Sequence, residues 1–370
     1  MKMKKSSGLK RSLNCFFSLL VTCPVVVFAG EGAACRLPAQ NALSGQVELD
    51  GSCTYTQSLR LPASNTHLNC KGATLDGGNN IPIGIVIGGG KKKIENVTVE
   101  NCRIQNFKNR GISITSGFRI KDLSADRNAN YDVAPSHIVI DNVTVLNSGR
   151  GGVYFDSYTT DSTLKNSTIQ DSGNVGVYLE QGTQRLNIVN NTIQGNGKAG
   201  KREGLSVDSS AHNTIEGNRF IGNTRGGVLM YKNCGENFLS GKSALRWQSS
   251  DFNTVRNNTF TNERVGVWIA SRQGKDLSKW GCGDPAVDPS GKYYKDYANN
   301  NVVEDNVFCH TKTAVRVEGD NNKIMRNRIG GASREPVLEP YKYTKKPDGQ
   351  NTQGNTVEGN DTVECSPEGK

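Results

Sequence analysis

Asn166-Ser167-Thr168-Ile169, Gly176-Val177-Tyr178-Leu179, Asn190-Asn191-Thr192-Ile193 and Gly204-Leu205-Ser206-Val207 follow one another in the chain, two short strands written out twice. The Gly-led strand recurs as Gly152-Val153-Tyr154-Phe155, Gly227-Val228-Leu229-Met230, Gly266-Val267-Trp268-Ile269 and Ala314-Val315-Arg316-Val317. The Asn-led strand recurs with last residues Val145, Ile169, Ile193, Phe220, Phe260, Phe308 and Ile329, spaced 24, 24, 27, 40, 48 and 21 apart. A short period with β-branched runs, abundant Asn and Gly and no helical pattern marks a solenoid. The predicted fold is all-β, a right-handed parallel β-helix whose coils bury their inward residues only by stacking. The matched Asn are expected to form hydrogen-bonded ladders inside a turn.

Stacking brings distant residues into columns. Two positions before the Gly-led strands stand Arg150, Asn174, Arg202, Arg225, Arg264 and Lys312. Cations repeated at about 4.8 Å repel one another, so such a file makes sense beneath a polyanion. Side chains alternate along a strand, so one outward column reads Tyr154, Tyr178, Ser206, Leu229, Trp268 and Arg316. The next reads Asp156, Glu180, Asp208, Tyr231, Ala270 and Glu318. Insertions at 118–136, 234–250 and 272–299 follow this strand, and 194–203 precedes it, so loops rise on both sides of a trough. They carry Arg246, Trp247, Arg272, Lys275, Lys279, Trp280, Tyr293, Tyr294 and Tyr297. Rings that stack on sugars beside guanidinium groups that fork a carboxylate suit an acidic polysaccharide. All three tryptophans are expected in the trough.

The ends set the compartment. Lys2, Lys4, Lys5, Lys10 and Arg11 precede an apolar run from Leu13 to Phe28, and Val27-Phe28-Ala29 fits a signal-peptidase site. Residues 1–29 read as a signal peptide and 30–370 as one β-helix domain; the apolar run is short for a bilayer span. Gly32-Ala33-Ala34-Cys35 lacks the Leu of a lipid-attachment box. The leader holds five of the 45 Lys and Arg and no Asp or Glu, leaving 40 basic against 35 acidic residues, too mild an excess to argue for nucleic acid. Eight cysteines remain after cleavage, an even number suited to disulfides in an exported chain. No CxxC spacing points to zinc. The expected pairs are Cys35–Cys53, Cys70–Cys102, Cys234–Cys282 and Cys309–Cys365. The protein is expected to be a periplasmic or secreted monomer, free of membrane once the signal is removed.

Two chemistries suit such a trough, and a third reading is plain polysaccharide binding. β-Elimination from a uronate polymer needs a cation on the sugar carboxylate, a base for the neighbouring carbon-bound proton and a donor to the departing oxygen. Arg225, with Arg202, is expected to neutralise the carboxylate. Lys232 is the expected base, with Lys201 as the other candidate, and Tyr178 or Tyr231 serves the leaving oxygen. Arg150, Tyr154, Asp208, Arg264, Trp268 and Arg272 complete the substrate contacts. Glycoside hydrolysis is the rival, because Asp156, Glu180 and Asp208 share a column. Adjacent coils set such acids about 5 Å apart and alternate coils about 10 Å, which brackets both hydrolase geometries. Ion pairing with the arginines is the plainer role for these acids. His67, His137, His212 and His310 stand apart, and His212 and His310 read as turn residues.

The segment Gly204–Asn258 resembles right-handed β-helix polysaccharide lyases, nearest to alginate lyases of family thirty-one and more loosely family six. The residues that carry it are Gly204-Leu205-Ser206-Val207-Asp208-Ser209-Ser210-Ala211-His212-Asn213-Thr214-Ile215, Gly226-Gly227-Val228-Leu229-Met230-Tyr231-Lys232-Asn233-Cys234-Gly235-Glu236 and Arg246-Trp247-Gln248-Ser249-Ser250. The likeness extends over about 136–331. It implies endolytic cleavage of an acidic polysaccharide such as alginate, with Tyr and Lys as acid and base. Family six uses Lys and Arg on successive coils; Asp208 and Tyr231 stand at those positions here, so that mechanism does not carry over. Uronan C5-epimerases are similar too, but Phe155-Asp156-Ser157-Tyr158 replaces their Asp-Pro-His motif. Some relatives use Ca2+; no acidic cluster in this sequence demands it, and no cofactor is required.

Overall fold

The computed structural model of this protein describes residues 35–39, 43–332 and 334–365; the signal-peptide assignment lies outside the described residues. The chain winds through three parallel sheets of 11, 11 and 10 strands. Each coil contributes one strand to each sheet in turn, and every strand pairs with its counterpart one coil on. The first sheet runs from Gln46–Glu48 to Thr356–Glu358, the second from Thr54–Tyr55 to Asp361–Thr362, and the third from Leu59–Leu61 to Val337–Leu338. This is the all-β, parallel β-helix architecture the repeats predict. The register matches too: Val145, Ile169, Ile193, Phe220, Phe260, Phe308 and Ile329 are successive partners. In the third sheet Tyr154, Tyr178, Ser206, Leu229, Trp268 and Arg316 align in one column.

Most strands are three residues long, with only the central side chain turned inward, as in Thr168–Gln170 and Thr192–Gln194. Two sheets thus give the barrel one apolar residue per coil and the third gives two, such as Val153 with Phe155 or Val177 with Leu179. Phe220, Phe260 and Phe308 stack along the axis with centroids 4.8 and 4.7 Å apart. That filling dictates the Gly-led motif. A Cβ on Gly227 would lie 2.6 Å from the Phe260 ring, and one on Gly266 would lie 2.4 Å from Phe308.

Asparagine ladders hold the corners. Asn191, Asn218, Asn258, Asn306 and Asn327 each pass an amide hydrogen to the next side-chain oxygen at 2.9–3.0 Å, and the ladder ends on Asn360. A second ladder links Asn213, Asn253, Asn301, Asn322 and Asn355. Asn142, Asn166 and Asn190, also expected in a ladder, sit at the exposed bend with φ of 49°, 51° and 56°, a left-handed conformation Asn tolerates. There Asn142 donates to Asn101 and Asn101 to Asn69, an outer ladder, while Asn166 donates to Asp141 instead. A third ladder runs from Asn196 through Asn223 to buried Glu263. Burial pushes the Glu263 carboxyl up to about 8 from 4.5, against the hydrogen bonds from Asn223. An acid with a raised folded pKa costs stability as pH climbs from 4.5 towards 8. Glu263→Gln should therefore raise the Tm more at pH 8 than at pH 5, with a gain on the order of 3 kcal/mol at pH 7. Melting curves at both pH values decide; a pH-independent shift would contradict the protonated carboxyl.

The four disulfides join Cys35–Cys53, Cys70–Cys102, Cys234–Cys282 and Cys309–Cys365, the expected pairs. No described helix is long and apolar enough to cross a membrane.

Candidate active site

The third sheet and the loops beside it enclose a cleft of about 580 Å3 lined by Gly200, Lys201, Arg202, Thr224, Arg225, Arg264, Arg272, Lys275 and Trp280. A second hollow of about 340 Å3 adjoins it, lined by Trp268, Ser271, Gly274, Arg316, Glu318 and Tyr341 and sharing Arg225 and Lys275. Arg202, Arg225 and Arg264 reach one cleft because they lead successive coils into the third sheet. Lys275, Arg272 and Trp280 come from the 272–299 insertion. Cys234–Cys282, packed with Leu277, Trp280 and Tyr294, ties that insertion to the 234–250 loop.

Three of these cations have acidic partners. Arg202 meets Glu203 at 2.8 Å and donates to the Tyr231 hydroxyl at 3.0 Å. Burial alone would raise the Glu203 carboxyl, but the Arg202 pair and Ser206 hold it below its ordinary value. Arg272 pairs with Glu236 and lies 3.9 Å over the Tyr231 ring. Arg316 pairs with Glu318 and lies 4.7 Å over Trp268.

Four others, Lys201, Arg225, Arg264 and Lys275, make no side-chain ion pair or hydrogen bond among the described residues. Rings support two of them: Arg225 is 5.4 Å from the centre of Trp268 and Lys275 is 3.9 Å from that of Trp280. A ring steadies a cation without neutralising it, so its hydrogen-bond donors stay available. Burial lowers the Arg225 pKa. Burial, with Arg225 and Arg272 close by, brings the Lys275 ammonium down to about 8. A lysine poised near neutral pH beside a free guanidinium can take a proton from a carbon acid.

The rest of the floor is tied down. The Tyr154 hydroxyl donates to Glu180 and the Tyr178 hydroxyl to Asp208, both at 2.5 Å, and the two rings stack 5.1 Å apart. Burial holds both phenols well above their ordinary pKa. Glu180 meets Arg246 at 3.1 Å, with both side chains buried. Asp208, expected to touch substrate, is fully buried and accepts from Ser209 and Asn233 as well. Tyr231 is buried beneath Arg202 and Arg272, out of a leaving group's reach.

Lys232 does not line the cleft. The strand ends at Tyr231, and the Lys232 ammonium turns into an ion pair with Asp284, its side chain 9% exposed. Lys232→Ala strips Asp284, itself partly exposed, of its charged partner and should lower stability by about 1–3 kcal/mol, read as a fall in Tm; an unchanged Tm would contradict the pair. Trp247, also expected in the trough, donates to the Tyr158 hydroxyl at 3.1 Å and lies under Arg127, in a separate hollow. Arg150 sits exposed in the arginine column, with its carbonyl accepting from Asn174, but outside the cleft. The sequence alone gives Lys275 no catalytic role; its signal is only a cation in an insertion flanking the trough. No group of three or more His, Cys, Asp or Glu among the described residues could hold a metal ion.

A family described as "Right handed beta helix region" matches residues 84–279, more than half of the chain. No curated protein matches. Among solved structures, the chain is similar to the catalytic unit of a thermostable α-1,3-glucanase from Streptomyces thermodiastaticus strain HF3-3. The identity is 13% and the TM-score 0.55, over 83% of this chain and 50% of that one. It is similar to a mutant tailspike protein of E. coli bacteriophage HK620 at 12% identity and a TM-score of 0.53, over 88% of this chain and 61% of that one. An alginate lyase from Paenibacillus sp. str. FPU-7 aligns at 12% identity and a TM-score of 0.48, over 87% and 94% of the two chains. The chain thus spans less than two thirds of the glucanase unit and of the tailspike, and the likeness to those two is one of fold.

Proposed function

The chain belongs to the right-handed β-helix family, and from that premise we propose that it is an exported polysaccharide lyase that cleaves a uronate polymer, alginate first, by β-elimination. The observation that carries this reading is the lining of the larger cleft: six cations, Lys201, Arg202, Arg225, Arg264, Arg272 and Lys275, and no carboxylate. Hydrolysis asks for two carboxyl groups facing the sugar. Glu180 and Asp208 are instead buried, and Glu318 in the adjoining hollow is held by Arg316 and Trp268.

In the proposed reaction Arg225 forks the carboxylate of the reacting sugar and spreads the charge that develops on it. Neutral Lys275 takes the proton from C5. The electron pair forms the C4–C5 double bond, and the C4–O bond breaks towards the departing sugar. The Lys275 ammonium then returns the proton to that oxygen, so one residue serves as base and acid and the balance closes. Arg202, Arg264 and Lys201 hold neighbouring carboxylates, and Trp268 and Trp280 offer rings to the sugar faces.

Purified protein incubated with several uronans should produce ultraviolet absorbance from the unsaturated chain end. New reducing ends without absorbance would mean a hydrolase. Altered proton NMR of an intact polymer would mean an epimerase, and binding without any of these a lectin.

A further inference from the structure

The cleft ends at the coil of Arg202, yet the same face continues towards the N-terminus with a row built in the same manner. Arg110 lies 3.5 Å over the Tyr154 ring, Tyr154 stacks on Tyr178, and Arg202 lies 5.9 Å from the centre of the Tyr178 ring. A guanidinium is thus supported by rings at each end of this stack. Arg110 makes one side-chain hydrogen bond, to Ser113 at 3.3 Å, and no ion pair among the described residues. Asp156, whose carboxyl feels the Arg110 charge, is engaged by the Thr115 hydroxyl and the Ser157 amide. Arg150 stands exposed beside the stack in the arginine column.

Neither arginine can reach the reacting sugar. Arg150 precedes Arg225 by three coils and Arg110 by four, about 14 and 19 Å along the axis at ~4.8 Å per coil. Arg110 offsets part of the cost of burying Asp156 but forms no ion pair with it, and Arg150 pairs with no acid among the described residues, so neither guanidinium is neutralised. A guanidinium laid flat on a ring presents its in-plane donors sideways, the geometry that forks a carboxylate. One sugar of an extended chain is close to one coil step long, so a polyanion leaving the cleft would bring a carboxylate past each arginine in turn.

We infer that Arg110 and Arg150, with the Tyr154–Tyr178 stack, form a remote holding site for the polymer, three to four sugars from the bond that breaks. The site rests on the polyanion reading of the cleft and deepens it: the protein selects long chains. A chain that reaches the remote site is bound at two points joined by its own backbone, so it gains affinity a short chain cannot.

Two probes separate the cases: polymannuronate polymer and its tetramer, with dissociation constants measured on the full chain carrying Lys275→Ala so that neither is consumed. Adding Arg110→Gln and Arg150→Gln should weaken polymer binding about tenfold per arginine and leave the polymer-to-tetramer preference close to one. Equal weakening for both probes, no change for the polymer, or no binding of the polymer at all would overturn the site. Should the double variant fold poorly, Arg150→Gln alone decides by the same ratio, since that exposed side chain supports nothing. If no uronan is cleaved but the length preference collapses as described, the holding site stands and the lyase reading falls. Cleavage of uronans with the preference unmoved overturns the holding site and leaves the lyase reading standing.

Discussion

Lys275→Ala is expected to lower kcat on the preferred uronan by about 10²–10⁴-fold, the usual worth of a positioned proton-transfer group. The ammonium is reactive only after it loses its proton, and its pKa is brought down to about 8 by burial and by Arg225 and Arg272. Activity of the wild-type protein should therefore climb with pH and level off above about 8. The sign follows from the role: a base works deprotonated, so acid inactivates it. Removing the neighbouring charge in Arg272→Gln relieves part of the repulsion and should move the inflection upward, towards an ordinary lysine. An unchanged kcat in Lys275→Ala, measured as ultraviolet absorbance growth, would remove Lys275 from the mechanism. A profile that falls as pH rises would do the same.

The second large effect belongs to Arg225. Its guanidinium lines both hollows, backs on Trp268 and meets no carboxylate among the described residues. If it stabilises charge on the reacting sugar, Arg225→Ala should lower kcat by about 10²–10³-fold, as for the loss of one preorganised donor at a developing anion. Arg264→Ala, on the next coil, removes a contact made equally in ground and transition states and should raise KM with little change in kcat. The contrast between the two variants tests the assignment: equal effects on KM alone would reduce Arg225 to a binding group.

The coils were legible because a stacked solenoid forces sequence into columns. The inward residue of each strand recurs, the Gly ahead of it clears space for Phe260 or Phe308, and the register follows. The arginine column was legible for the same reason, and Arg202, Arg225 and Arg264 do share a cleft. The insertions were not, because a residue without a counterpart on the next coil has no column to place it. Lys275, Glu236, Asp284 and Arg246 all lie in such segments. That is why Lys232 read as a free base when Asp284 holds it, and why the buried pairing of Glu180 with Arg246 was missed. The ladder was misplaced by one residue where two Asn adjoin: Asn190 takes the left-handed bend while Asn191 turns inward.

The corner asparagines bear on how such a protein can change its length. Between turns, each amide answers the rung above and the rung below, and its other bonds stay within its own turn, so a whole turn could be duplicated or deleted and the two cut surfaces would still match. A gene encoding one more turn would add one more arginine berth to the outer face, about 4.8 Å of new footing, without disturbing the reacting centre.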